Sequence, residues 1–224
     1  MLCDHRVPAT AVRAADFVAG LKEQLHSVTV PISRTEKVTA RGLVQDELIL
    51  RRPEEDDEAE FHRAYRATSS EYPSFALWYA EGMPFHRYIE VLQNQESGIN
   101  LPAGFVPSTF LCAFVGTRIV GRVSIRHALN AALMRKGGHI GYVVLPEFRQ
   151  RGYATRMLRI ALGMGRTRLG LTRVLVTCDD DNIASIKTIE KNGGVLENVV
   201  TAAAITTGEP DLEKPFRRYW IAPK

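Results

Sequence analysis

With 224 residues, 45% hydrophobic and 24% charged, the chain has the composition of a globular protein able to bury one full core, and not that of a collagen, a coiled coil or a disordered polymer. Its formal charge of +4 permits contact with anions, but no dense basic run interleaved with aromatics is present, so nucleic acid is not an expected partner. Cys3, Cys112 and Cys178 lack metal or disulfide spacing, and no apolar run approaches the roughly 18 to 20 residues that cross a bilayer; free thiols, no metal, no membrane and a cytoplasmic location are expected.

Residues 1–45 differ in pattern from the rest of the chain. Ala11 to Leu25 fits one amphipathic helix, and Pro31 to Gly42 is polar and patternless, so this stretch is expected to be an N-terminal extension to a single domain over 46–224. Glu47 to Arg52 reads as a first strand stopped by Pro53. The acids from Glu54 to Glu58 suit the start of a helix carrying Phe61, Tyr65 and Thr68 on one face, and are read as solvated charge. Tyr72 to Tyr79 is aromatic for a connection, and Pro84 opens a second helix that ends at Gly98. Tyr72, Trp78, Tyr79 and His86 are either core residues or the lining of an acceptor pocket.

From Thr109 the pattern turns to strands. Phe110 to Val115 and Ile119 to His127 form a hairpin around Gly116 and Thr117, and a polar loop runs from Asn130 to Gly138. Ile140 to Leu145 is a buried strand ended by Pro146, and from about Gly152 an apolar stripe of Ala154, Met157, Leu158 and Ala161 marks a helix. Arg173 to Cys178 is a strand and Ile183 to Asn192 a helix stopped by Gly193 and Gly194. Val195 to about Thr201 and Phe216 to Ile221 are the last two strands.

The richest stretch lies between the buried strand and its helix: Arg149, Gln150, Arg151, Gly152, Tyr153, Ala154, an R-x-x-G-x-A pattern. The first amides of a helix have no intrahelical partner and carry the positive end of the dipole. With a glycine at the turn and two arginines beside it, such a start suits a diphosphate better than a single carboxylate. An ordinary capped helix with solvated arginines has the same local sequence.

Strand, R-x-x-G-x-A, helix, strand, then Asn182 opening a helix that ends in EKNGG, resembles the GNAT superfamily of acetyl-CoA-dependent N-acyltransferases. The match covers Glu47 onward in element order and is most specific from His139 to Glu197. GFVPST, IVGRVSIRH and GGHIGY place it near a bacterial subgroup of acetyltransferases. The resemblance implies an α+β fold, a three-layer sandwich with a mixed, mostly antiparallel sheet in which two parallel central strands splay apart, here His139 to Leu145 and Arg173 to Cys178. It implies acetyl-CoA as cosubstrate, with the pantetheine arm on free backbone groups near Val143, Val144 and Leu145. The diphosphate would lie on the amides from Gln150 through Arg151, Gly152, Tyr153 and Ala154 to Thr155, with Arg149 beside it and Asn182 touching the cofactor arm. Asn182 also fits a helix N-cap.

The implied reaction is direct attack of a primary amine, from a small molecule or a peptide, on the thioester in a ternary complex. An alkylamine has a pKa of about 10.4, so a proton must leave before or during attack. His139, at the start of the central strand, is the expected base, with a hydrogen-bonded strand-end histidine as the alternative. The Val144 amide is the expected oxyanion donor. Where many family members carry a tyrosine that reprotonates the thiolate, this chain has Ile189, so Tyr142 is the expected acid, with Tyr153 and solvent as alternatives. Loss of that tyrosine also leaves open a non-catalytic acyl-CoA-binding module. A monomer or homodimer is expected.

Overall fold

The strand β2 (Ser108–Val115) is buried until its last residue, which requires cover on both faces of its sheet. Phe110, Cys112 and Phe114 pack with Phe61 and Ala64 of α1 (Glu58–Ala67) and with Phe85, Tyr88 and Leu92 of α2 (Phe85–Ser97). Leu111 and Ala113 join the other cluster, with Met157, Leu158 and Ala161 of α4 (Tyr153–Leu169) and Ile186 and Ile189 of α5 (Ile183–Lys191). Helix, sheet and helix therefore make three layers of an α+β fold, described from a computed structural model over residues 47–68, 75–201 and 214–223. The expected N-terminal extension and Tyr72 lie outside the described residues.

Two sheets share the middle layer. One runs β1 (Leu48–Arg51), β2, β3 (Arg118–Arg126) and β4 (Ile140–Val144); the other runs β5 (Val174–Asp179), β7 (Phe216–Ile221) and β6 (Val195–Val200). The terminators match their chemistry: Gly98 and Gly170 close α2 and α4 in the left-handed conformation that a Cβ disfavours.

One expectation is corrected. The polar loop before β4 contains a short helix, α3 (Ala131–Arg135), started by Asn130, whose side chain accepts from the Leu133 amide at 2.9 Å. No parallel ladder is formed: among the described residues every ladder is antiparallel. β4 and β5 border different sheets and meet at one isolated bridge, Gly138 to Val176, itself antiparallel. Gly138 has φ +62°, and a Cβ there would lie 2.3 Å from the Leu175 carbonyl oxygen. The chain touches β5 at that point and turns away to pair with β3.

Candidate active site

The cleft is bounded by the outer edge of β4, and the register with β3 decides which backbone groups reach it. The Leu145 amide donates to Val120 O at 2.9 Å and the Arg126 amide to His139 O at 2.7 Å, with Val143 opposite Arg122 and Gly141 opposite Ser124 between them. Antiparallel pairing alternates, so residues 141, 143 and 145 spend their backbone groups on β3, while Tyr142 and Val144 turn theirs outward. Of the three residues expected to meet the pantetheine arm, Val144 turns its backbone groups away from β3. Val143 and Leu145 spend theirs on β3, and the backbone groups of Tyr142 also face outward.

Beyond Leu145 the chain makes a single tight turn, Pro146–Phe148, whose next amides are satisfied: Phe148 N–H to Leu145 O at 2.9 Å and Arg149 N–H to Pro146 O at 3.2 Å. Gln150 (φ +62°) and Gly152 (φ +79°) then both enter the left-handed region, which swings the chain into α4. The helix has no side-chain cap, and its first intrahelical bond of this turn is Arg156 N–H to Gly152 O at 3.2 Å. The amides of Tyr153, Ala154 and Thr155 precede it and have no intrahelical acceptor. Nothing lies within 4 Å of a Cβ built on Gly152, so its glycine answers to backbone angle first. Arg149 and Arg151 are exposed. Arg149 Nε donates to Val144 O at 3.1 Å, and the Arg151 guanidinium lies 5.8 Å from the centre of the Phe148 ring. An anion can therefore meet three free amides, the helix dipole and two arginines at one place.

Asn182 caps α5, its Oδ1 accepting from Ser185 N–H at 3.0 Å, and is exposed; its Nδ2 is left for a second partner. His139, only 8% exposed, directs Nδ1 at the Leu175 amide, 3.0 Å away. That lone pair is engaged, which leaves the neutral ring with its proton on Nε2, a donor. Burial, with the Arg126 cation adding to it, lowers the His139 pKa below the usual value. Accepting a proton at Nδ1 would break that bond. Tyr142 carries a hydroxyl buried without a hydrogen bond of good geometry, near Ser185 and Thr188. Burial pushes its pKa up to about 12, so it is protonated at neutral pH. Ile189 is fully buried in the core.

Of the aromatic acceptor candidates, Tyr79 is tied into the cluster around Phe61, its hydroxyl 3.1 Å from His62 Nε2. Trp78 sits at φ +69° with its ring against Phe105 at 4.7 Å, and His86 is exposed beside Glu55 and Glu58. Sequence reasoning missed two supports. Asn192 Nδ2 donates to Thr155 O at 3.2 Å and to Thr188 O at 2.8 Å, lashing α5 to the first turn of α4. Arg63 pairs with both Glu60 and Glu147 and donates to Ile119 O at 2.7 Å, fixing the turn before the anion site against α1. Only the Glu60 and Arg63 spacing was a readable signal.

The family described as acetyltransferase (GNAT) domain matches residues 47–195. This chain belongs to that family: it is an acyltransferase, a GNAT acetyltransferase using acetyl-CoA. Among solved structures, Mycobacterium smegmatis RimJ in complex with CoA-disulfide aligns over 80% of this chain and 83% of its own, with 17% identity and a TM-score of 0.57. An acetyltransferase from Salmonella typhimurium that modifies the N-terminal serine of ribosomal protein L7/L12 aligns over 79% and 95%, with 17% identity and a TM-score of 0.56. The microcin C7 self-immunity acetyltransferase MccE, in complex with acetyl-CoA and AMP, aligns over 79% and 93%, with 21% identity and a TM-score of 0.54. No curated protein matches the chain. Among the described residues no helix is long and apolar enough to cross a membrane, and no group of three or more His, Cys, Asp or Glu is placed to hold a metal.

Proposed function

We propose that this chain moves the acetyl group of acetyl-CoA to a primary amine by direct attack in a ternary complex in the cytoplasm. The observation that carries the proposal is the outward-turned edge of β4 at Val144, continuous with the free amides of Tyr153, Ala154 and Thr155. Acetyl-CoA supplies an activated thioester; the chain supplies a row of backbone donors and acceptors to align it. The α4 amides with Gly152, Gln150, Arg149 and Arg151 hold the diphosphate, Asn182 meets the arm through Nδ2, and the Val144 amide polarises the carbonyl.

With His139 Nδ1 engaged, water carries the proton from the amine. His127 is no better placed, since its Nε2 is 2.9 Å from Thr109 Oγ1. Tyr142 is the proposed donor to the departing thiolate. The Tyr142 proton is retained across the working range, with burial pushing its pKa up to about 12; it passes to a thiolate whose conjugate acid has a pKa of about 8.5 only as the amine's proton, relayed by water, replaces it on the phenol. Tyr142→Phe is expected to lower kcat by about tenfold or more while acetyl-CoA affinity stays near wild type. It should not reduce stability, because no hydrogen bond of good geometry is lost. An unchanged kcat in that variant would assign the proton to solvent.

The same Tyr142 shift predicts a stability limb. An acid whose folded-state pKa is raised contributes stability that is present below its unfolded pKa of about 10 and is lost as pH rises through the folded value. Tyr142→Phe should abolish this part of the alkaline loss, read by thermal melts across that window.

Arg151→Ala should weaken acetyl-CoA binding by about 1.5 to 3 kcal/mol, the size of a hydrogen bond to a charged group. Calorimetry showing no loss would remove Arg151 from the diphosphate site. The activity itself is tested by thiol release from acetyl-CoA against polyamines, aminoglycosides, amino acids and N-terminal peptides. The last group is included because the Salmonella relative modifies a peptide amine. Acetyl-CoA binding without turnover on any amine would contradict the proposed reaction.

A further inference from the structure

We propose that His139 is a positioning residue, whose ring fixes the amide of Leu175 and so sets the point where the two sheets part and the floor of the acetyl-CoA cleft; this rests on the proposed acetyl transfer. The geometry is that of one residue serving two sheets. His139 N–H donates to Leu175 O at 2.7 Å, and His139 O is turned to the other side, where it accepts from Arg126 N–H at 2.7 Å. In a regular antiparallel pair the same carbonyl would also receive the partner's amide. Here it has been given to β3, which leaves Leu175 N–H, on a fully buried residue, in need of another acceptor. Nδ1 of His139 takes that place at 3.0 Å.

The imidazole therefore substitutes for a backbone carbonyl, and β4 is released to pair with β3 while the residue just before it stays fastened to β5. The surroundings hold the pin. Arg126 Nη1 donates to Gly137 O at 3.1 Å and Gly138 O at 2.9 Å, and the Gly137 amide donates to Thr177 Oγ1 at 2.9 Å. The Trp220 ring of β7 lies 6.4 Å from the imidazole. A few residues further on, the outward groups of Tyr142 and Val144 begin, so a shift at His139 displaces the edge on which the thioester is aligned.

The discriminating variant is His139→Asn. The asparagine Oδ1 branches from the chain at the same atom as Nδ1, accepts a hydrogen bond and cannot act as a base near neutral pH. Three measurements on the full chain decide the matter: exchange of the Leu175 amide without ligand, acetyl-CoA affinity by calorimetry, and KM and kcat with an amine found in the screen. His139→Asn is expected to stay within about threefold of wild type in all three, whereas His139→Ala should lose about tenfold in amide protection and in acetyl-CoA affinity, with kcat falling less, as one lost buried hydrogen bond implies. His139→Gln, which places its acceptor one bond further out, should resemble alanine. The inference is overturned if asparagine and alanine both lower kcat by about 10²- to 10⁴-fold with affinity unchanged, the behaviour of a base. It is equally overturned if the Leu175 amide is as protected in His139→Ala as in wild type. Amide exchange needs no acetyl-CoA, so a protein that fails to bind it would sink the proposed function while exchange still judged the pin.

Discussion

Gly152→Asp is expected to leave a folded protein that no longer binds acetyl-CoA. At φ +79° the position favours glycine, but asparagine and aspartate tolerate this left-handed region better than other residues, and no atom lies within 4 Å of the added Cβ. A carboxylate at a helix N-terminus even stabilises the free helix. What it opposes is a second anion on the amides of Tyr153, Ala154 and Thr155, so affinity should fall by about 100-fold or more, roughly 2.7 kcal/mol. Gly152→Asn shares the backbone demand without the charge and should lose far less. Calorimetry that finds a folded Gly152→Asp protein with wild-type affinity would show that the diphosphate lies elsewhere.

Gly138→Val should be the most damaging single change to the fold. Its Cβ would fall 2.3 Å from Leu175 O and 2.8 Å from the Leu175 carbonyl carbon, and those are backbone atoms that cannot swing aside. A β-branched residue at φ +62° adds conformational strain. Together these effects are expected to cost about 2 to 5 kcal/mol, lowering Tm by roughly 5 to 15 °C. The loss should be accompanied by faster exchange at Leu175 and Val176, where the two sheets meet. A melting temperature within a degree or two of wild type would mean that the contact at Gly138 is not needed to join them.

The outline of the fold was legible because its signals are local. Pro146 ends a strand wherever it falls, Gly98 ends a helix through its own backbone angle, and the stripe of Met157, Leu158 and Ala161 announces a buried helix face. The R-x-x-G-x-A turn belongs with these, since free amides at a helix start are a consequence of helix geometry alone. The α3 turn escaped because five residues carry too little periodicity to be told from a polar loop.

The sequence by itself therefore determined the order of elements, the family and the helix start whose first amides lack intrahelical acceptors, all properties of residues close together in the chain. Tertiary structure decided what the individual groups at the cleft are free to do. Whether Val143 or Val144 offers its amide depends on pairing with β3, because a strand shows alternate backbone groups to its two sides and a slip of one residue exchanges them. Whether His139 is a base or a pin depends on Leu175, 36 residues further along the chain, whose buried amide claims the lone pair. An imidazole carries its pKa in its type, but the proton it can accept is set by the neighbour that folding brings to it.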